Sequence, residues 1–343
     1  MIVSSYTPKE VLSFMGLIDT YRRWSEYEQY GSRKYFQYHP SEWGRCLRAQ
    51  QYKHYTQLGY INVEFVPKES KLLRLFDKGH NMHNRWSSYF EDMGVVRGRW
   101  KCANRLCQLF LDSGKMIEDM DHHTDGGQSN INKILQENKS RIYGEEERQG
   151  CFRPEKCVCG CTDFEYLETH VRDESINMKG NADLILDCSK LTPERFKGVR
   201  TTFDPRFLPK DGQIAVADMK SIGQSAWDFQ LVKKGAHPYY IIQIIIYIHI
   251  LNVDYGLIIY ENKNNSELQI YKVERNDKWW EIIKWQASTM MSMVADKKLP
   301  PPRYEKSSYD CKGCEFKSLC HKSKVWADPK LKSKKESFYR ELL

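Results

Sequence analysis

Apolar and polar positions alternate in blocks that predict helices first and strands later. Residues 7–38 read as helical, with aromatics spread over several faces that core packing would ordinarily cover. Residues 41–60, SEWGRCLRAQQYKHYTQLGY, read as a second helix carrying Cys46 near its start. In the stretch from Glu69 to Met93, Leu72, Leu73, Phe76, Met82, Trp86 and Phe90 follow helical spacing, and Gly94 can end the helix. Residues 98–161 change character: cysteines stand at both ends of a polar run from His122 to Arg148. The stretches Asp163 to Val171 and Ile176 to Leu186 predict strands pairing across Arg172–Ser175. Pro193, Pro205 and Pro209 mark residues 190–212 as a long connection. Ile214 to Lys220 predicts a strand, and Trp227 to Leu251 a helix that breaks near Gly235 and restarts at Pro238. Tyr255 to Tyr260 and Glu267 to Val273 predict two more strands, and Asp277 to Ala295 a helix.

Helices, three strands, a helix, two strands and a helix make an α/β core with a mixed sheet. The expected organisation is a helical region over 1–97, an inserted cysteine-rich module over 98–161, a core over 162–300 and a cysteine motif with a basic tail over 301–343. No internal repeat is visible.

Composition narrows the picture. With 41% hydrophobic and 13% aromatic residues the chain is globular in type rather than disordered. The net charge of +8 suits a polyanionic partner without requiring one. Half of it sits in His321–Leu343, where seven Lys or Arg oppose three Asp or Glu. The run from Tyr239 to Leu251 is too short to span a bilayer and contains Gln243 and His249. The N-terminus has no charged start followed by an apolar core, so a soluble, cytoplasmic protein is expected, with no membrane partner. Eleven cysteines, most of them clustered, then point to metal rather than disulfides.

The acidic residues are placed unusually. Asp183 in KGNADLIL and Asp218 with Lys220 in IAVADMKS sit in otherwise apolar strands, where a charge needs a partner. Asp218 and Lys220, two apart, face one side of a strand. Gln243 and Tyr247 share one face of an apolar helix. In FDKGHNMH, Gly79 precedes His83 by four residues, with His80 a competing imidazole ligand. Carboxylates hold Mg²⁺ or Mn²⁺, which can polarise a phosphodiester and lower the pKa of water, and a lysine can stabilise the developing charge.

In their order, G-x3-H, G-x2-D, D-x-K and Q-x3-Y, these segments resemble the RecB-like branch of the PD-(D/E)XK nuclease superfamily, over roughly Cys46 to Cys320. The resemblance implies a restriction-endonuclease-like core with a mixed sheet flanked by helices. It implies that His83, Asp183, Asp218 and the Met219 carbonyl ligate the metal and that Lys220 acts on water or phosphate. Gln243 and Tyr247 would contact DNA or organise the site, and Glu168 in EYLE matches a frequent acidic position. The 34 residues between Asp183 and Asp218 exceed the usual spacing, so 190–212 would loop out; otherwise Asp187 would be the substitute acid.

Cysteines of the same branch, in CRISPR-associated RecB-like and AddB-type exonucleases, imply that Cys46, Cys311, Cys314 and Cys320 ligate a 4Fe-4S cluster joining the two ends of the chain; zinc on the same thiolates is the alternative. RWKCANRLC and KCVCGC look like halves of a zinc ribbon. Cys102, Cys107, Cys157 and one of Cys161 or Cys159 are the expected ligands of a structural Zn²⁺, with His122 and His123 as alternatives. Cys151 is a sixth thiol of this group, and Cys188 is expected to be a plain buried cysteine. The expected function is a Mg²⁺- or Mn²⁺-dependent DNA exonuclease, with flap or endonuclease activity open, that leaves 5′-phosphate and 3′-hydroxyl ends in recombination, repair or replication, including a phage or CRISPR-like setting. No GxxxxGK[ST] motif is present, so unwinding would need a helicase partner. The alternatives are a non-catalytic DNA-binding or assembly module on the same fold and a zinc-ribbon nucleic-acid adaptor.

Overall fold

The computed structural model describes residues 8–30, 37–63, 66–104, 142–157, 159–190, 210 and 212–320. Two long helices, α1 (Pro8–Tyr30) and α4 (Ser70–Asp92), flank two shorter ones, α2 (Pro40–Trp43) and α3 (Leu47–Gln57). Strands β1 (Val96–Cys102), β2 (Ile142–Tyr143), β3 (Cys151–Phe152), β4 (Phe164–Leu167), β5 (Thr169–Asp173), β6 (Met178–Ala182), β7 (Leu184–Asp187) and β8 (Ile214–Ile222) follow. Residues 224–234 are helical with a π turn at Trp227–Leu231. Then come α5 (Pro238–Leu251), β9 (Tyr255–Asn262), β10 (Leu268–Glu274) and α6 (Asp277–Ala295).

Eight strands form one mixed sheet in the order β10-β9-β8-β7-β1-β2, with β3 and β4 also paired to β1. Within this sheet the described strand pairs are antiparallel except β8–β9, which is parallel. A parallel pair needs a crossover, and α5 supplies it. That helix is apolar on nearly every face because it is enclosed: Ile242, Ile244, Ile245, Ile246 and Ile248 are all buried. It packs so close to β9 that a Cβ on Gly256 would come within 2.1 Å of Ile244.

The predicted 41–60 helix divides into α2 and α3 because Gly44 passes against Tyr239, where a Cβ would stand 2.4 Å from its Cα. The predicted break near Gly235 is real, with φ 80°. β1, with alternating burial, has no counterpart in the sequence expectation; it joins the residues opening the 98–161 segment to β7. The aromatics of α1 also depart from expectation. Phe14, Leu17, Tyr21, Trp24 and Tyr27 are exposed, while the face toward α4 carries ion pairs, Arg22–Asp77 and Arg74–Asp19.

The two predicted hairpin strands are each split. The first breaks at Glu168 into β4 and β5, the second at Asp183 into β6 and β7. β5 and β6 pair as the expected hairpin and form a separate two-stranded sheet, while β4 and β7 stay in the main sheet. Thr169 pairs with Ala182, so the two breaks lie side by side. Each acid therefore sits where the chain leaves one sheet for the other.

Candidate active site

Register brings the acids together. Leu184 on β7 pairs with Ala217 on β8, so Asp183 stands beside Asp218 whatever the length of the intervening chain. The connection itself, 191–209 and 211, lies outside the described residues. Asp187, the substitute acid, is engaged elsewhere, accepting from Ser189 N at 3.0 Å and from Arg97 at 3.4 Å.

Asp218 is almost wholly buried. Its Oδ1 accepts from Lys220 Nζ at 2.8 Å and from Gln243 Nε2 at 3.0 Å. Its Oδ2 stands 2.7 Å from the same ammonium but receives no hydrogen bond of good geometry. Burial pushes this carboxyl up to about 7, against the pull of Lys220. Met219, between them, points into the opposite core, as strand alternation requires. Burial works against the Lys220 charge, but Asp218 and Asp183 outweigh it and the pKa rises. The ammonium also lies 4.7 Å from the centre of the Tyr240 ring, a contact with no sequence signature.

Asp183 Oδ2 accepts the Met219 backbone N–H at 2.8 Å and lies 3.4 Å from His83 Nδ1. His83 faces this site while His80 on the next turn is exposed. Burial lowers the His83 pKa, and its ring reaches the Met219 backbone carbonyl. Tyr166 OH donates to the Asp183 carbonyl at 2.9 Å, which holds the strand break in place. Glu168, hydrogen-bonded to the Asn181 side chain, is pushed up to about 7 by burial and then by Asp183.

Gln243 and Tyr247 are buried and present no surface to a large ligand. Gln243 Nε2 donates to Tyr247 OH at 3.0 Å, and Tyr247 OH donates to Asn181 O at 2.7 Å. The chain Asp218–Gln243–Tyr247–Asn181 thus ties β8 through α5 to β6. Gly180 makes room for this arrangement: a Cβ there would lie 3.0 Å from Pro40 and 3.8 Å from Tyr247 OH. Tyr166, Asn181 and Tyr240 are supports that the sequence reading did not single out.

His83, Asp183, Asp218 and Lys220 therefore share one corner, with Glu168 at its edge. The carboxylates and imidazole are not closed to a common point, because Asp218 is turned to Lys220 and Gln243.

Among the described residues, three thiols do close to metal-ligand spacing. The sulfurs of Cys102, Cys157 and Cys159 all lie within 4.8 Å of one another and can hold a metal ion. Cys102 and Cys159 are 3.6 Å apart, and Asn104 Nδ2 stands 3.7 Å from Cys159. Cys161 turns away, its thiol 3.5 Å from Asp163 O, so Cys159 rather than Cys161 completes the triad. Cys107, His122 and His123 lie outside the described residues. Cys188, expected to be buried, is half-buried.

Cys46, Cys311, Cys314 and Cys320 line one pocket with Tyr52, Arg303, Tyr304 and Phe316. Hydrogen bonds join residues 43–55 to residues 286–303 beside it. Arg303 Nη1 donates to Arg45 O at 2.7 Å, Trp43 Nε1 to Gln286 at 3.1 Å and Tyr55 OH to Met293 O at 3.0 Å.

No family model and no curated protein matches this chain. Among solved structures it is similar to SSO0001, at 12% identity and TM-score 0.42, over 90% of this chain and 97% of that one. It is also similar to an alkaline exonuclease, LHK-Exo, from Laribacter hongkongensis, at 12% identity and TM-score 0.26. That second match covers 38% of this chain and spans about half of the exonuclease, 56%. No helix among the described residues is long and apolar enough to cross a membrane.

Proposed function

We propose that this chain is a Mg²⁺- or Mn²⁺-dependent DNA nuclease with a PD-(D/E)XK core of the RecB-like kind, acting as an exonuclease. The observation that carries the reading is the register that sets Asp183 beside Asp218, with Lys220 on the same face and His83 opposite. The antiparallel β7–β8 pair, the parallel β8–β9 pair and the buried α5 crossover support the fold assignment.

The donor set fits a hard divalent cation. Asp218 Oδ2 is a buried acceptor without a hydrogen bond, and carboxylates, a carbonyl and an imidazole are adjacent. His83, Asp183, Asp218 and the Met219 carbonyl would hold the metal. When bound, it supplies Lewis-acid activation of the phosphate and of water, giving 5′-phosphate and 3′-hydroxyl ends. Releasing Asp218 from Lys220 frees the ammonium to face a phosphate oxygen. Gln243 and Tyr247 position Asp218 relative to β6. Glu168, with its raised pKa, can accept a proton near neutral pH.

The four-thiol pocket suits a 4Fe-4S cluster better than zinc. No three of its sulfurs close within the 4.8 Å that the Cys102 triad meets, whereas zinc–thiolate bonds of ~2.3 Å demand such closeness. A structural Zn²⁺ fits Cys102, Cys157 and Cys159, with Cys107 as the fourth ligand. DNA with free ends, a helicase or recombination partner, and the cytoplasm are the matching substrate, partner and compartment.

The test is incubation of anaerobically purified protein with end-labelled single- and double-stranded DNA. Metal-dependent shortening from an end that chelator stops is expected. DNA left intact with Mg²⁺ and with Mn²⁺ would sink the proposal.

A further inference from the structure

The cluster reading just proposed leaves one buried cation to account for. Arg48 occupies the first turn of α3, two residues beyond Cys46, and is 1% exposed. Its Nη1 donates to Pro300 O at 2.6 Å, and its Nη2 stands 3.5 Å from Tyr52 OH. The guanidinium carbon lies 5.5 Å from the centre of the Tyr52 ring, which stacks on Phe316 at 5.3 Å and 18°. Tyr52 and Phe316 both line the four-thiol pocket. The guanidinium is thus fixed behind the pocket wall, and its charge works against the burial that pushes the Cys320 thiol up.

Cys46 meets the same positive environment from the other side. It is the N-cap of α3, an 11-residue helix, so its thiol stands beside the open amides of the first turn, although its side chain makes no cap hydrogen bond. Helix N-termini and their open amides favour negative charge. Arginine stays protonated even when buried, so its charge adds to theirs. Four thiolates around a 4Fe-4S core carry a net negative charge, and one-electron reduction adds another. Net charge and hydrogen bonds to the sulfurs are the levers by which a protein sets the potential of such a centre.

We propose that Arg48 is the charge-balancing residue of this pocket: its buried guanidinium, with the α3 amides, favours the reduced and more negative state of a 4Fe-4S cluster and so sets the cluster's midpoint potential. This rests on the cluster reading. In the measured step one electron enters from a low-potential donor such as dithionite; no bond to Arg48 forms or breaks, and Arg48 exchanges no proton. The role is distinct from ligation, since Arg48 contributes no sulfur, and from DNA cleavage, since the residue touches none of the acidic corner.

The test compares wild type with Arg48→Gln, Arg48→Met and Arg48→Lys, all purified without air. Iron and sulfide are measured per chain, and the cluster is titrated with redox mediators while the reduced state is followed by electron paramagnetic resonance. Arg48→Gln, which keeps a donor for Pro300 O, is expected to lower the reduced-to-oxidised ratio at fixed potential at least tenfold, a shift of about 59 mV to more negative values. Arg48→Met should do the same, and Arg48→Lys should stay within about threefold of wild type. Loss of the cluster from the Gln and Met variants, with circular dichroism unchanged and the Lys variant loaded, supports the same role through occupancy. A fully loaded Arg48→Gln protein with an unmoved midpoint overturns the assignment of Arg48 alone. Zinc in place of iron in the wild type overturns the cluster reading beneath it.

Discussion

The acidic corner and the four-thiol pocket are built on opposite principles. The corner lies on central strands, and each of its side chains is held by another protein group: Asp218 by Lys220 and Gln243, Asp183 by the Met219 amide, Tyr247 by Asn181 O. The pocket draws one cysteine from the cap of α3 and three from Tyr309–Lys312, Lys317–Cys320 and the turn between them. Four-residue helices have no stability of their own. The corner is preorganised by the fold; on the proposed cluster reading, the pocket takes its stability from the group it binds. Iron content and activity should therefore separate between the two.

The largest effect falls in the corner. Asp218→Ala and Lys220→Ala should each reduce cleavage by about a thousandfold or more, the scale of losing a group that stabilises transition-state charge. Each leaves one buried partner unpaired and should lower the melting temperature, but with no change in iron content or in the proteolysis of residues 301–320. On the cluster reading, Cys311→Ser should reverse the pattern: iron should be lost, residues 301–320 should become open to limited proteolysis and the melting temperature should fall, because a group bound only to the folded state would no longer stabilise it. Loss of iron or opening of residues 301–320 in the corner variants would erase the contrast.

Acidity sharpens it further. The folded Asp218 carboxyl sits at about 7, above its unfolded value of 3.8, so the native state holds the extra proton between them. Stability from this group is full below 3.8 and is lost as pH rises through about 7. Metal-free protein should melt at lower temperature at pH 8 than at pH 6, and Asp218→Asn should flatten that slope. Proton and metal compete for the same oxygens, so cleavage at limiting Mn²⁺ should rise through neutral pH.

Smaller effects mark the supports. Cys159→Ser should cost zinc that Cys161→Ser retains, read by metal analysis of the purified proteins. Tyr247→Phe removes the bond to Asn181 O, and kcat should fall about fivefold, roughly 1 kcal/mol, with KM for DNA unchanged. A rise in KM alone would place Tyr247 on the DNA rather than behind Asp218.

Much of this was legible in the sequence, and what was not has physical reasons. Helix α6 matches its expected limits, Asp277–Ala295, because Asn276 caps it and its apolar period is regular. The Asp218/Lys220 pairing follows from strand alternation alone. The breaks at Glu168 and Asp183 were hidden because each expected strand is continuously β-like, and only pairing decides which sheet each half joins. β1 went unread because its partners, β2, β3, β4 and β7, all lie far downstream of it in sequence. The α1 aromatics misled because composition does not say which face a helix presents. Tyr240 under Lys220, Tyr166 behind Asp183 and Arg48 behind Cys320 have no motif; each is defined only by its neighbours in space.

The central claim is that Asp183 and Asp218 hold the catalytic metal while Lys220 acts on the substrate. Mn²⁺ titration by calorimetry, run beside single-turnover cleavage, separates these roles in one set of proteins. Asp183→Ala and Asp218→Ala should lose both Mn²⁺ binding and cleavage, whereas Lys220→Ala should bind Mn²⁺ at least as tightly as wild type and not cleave. Unchanged Mn²⁺ affinity in the aspartate variants, or wild-type cleavage by Lys220→Ala, would contradict the account.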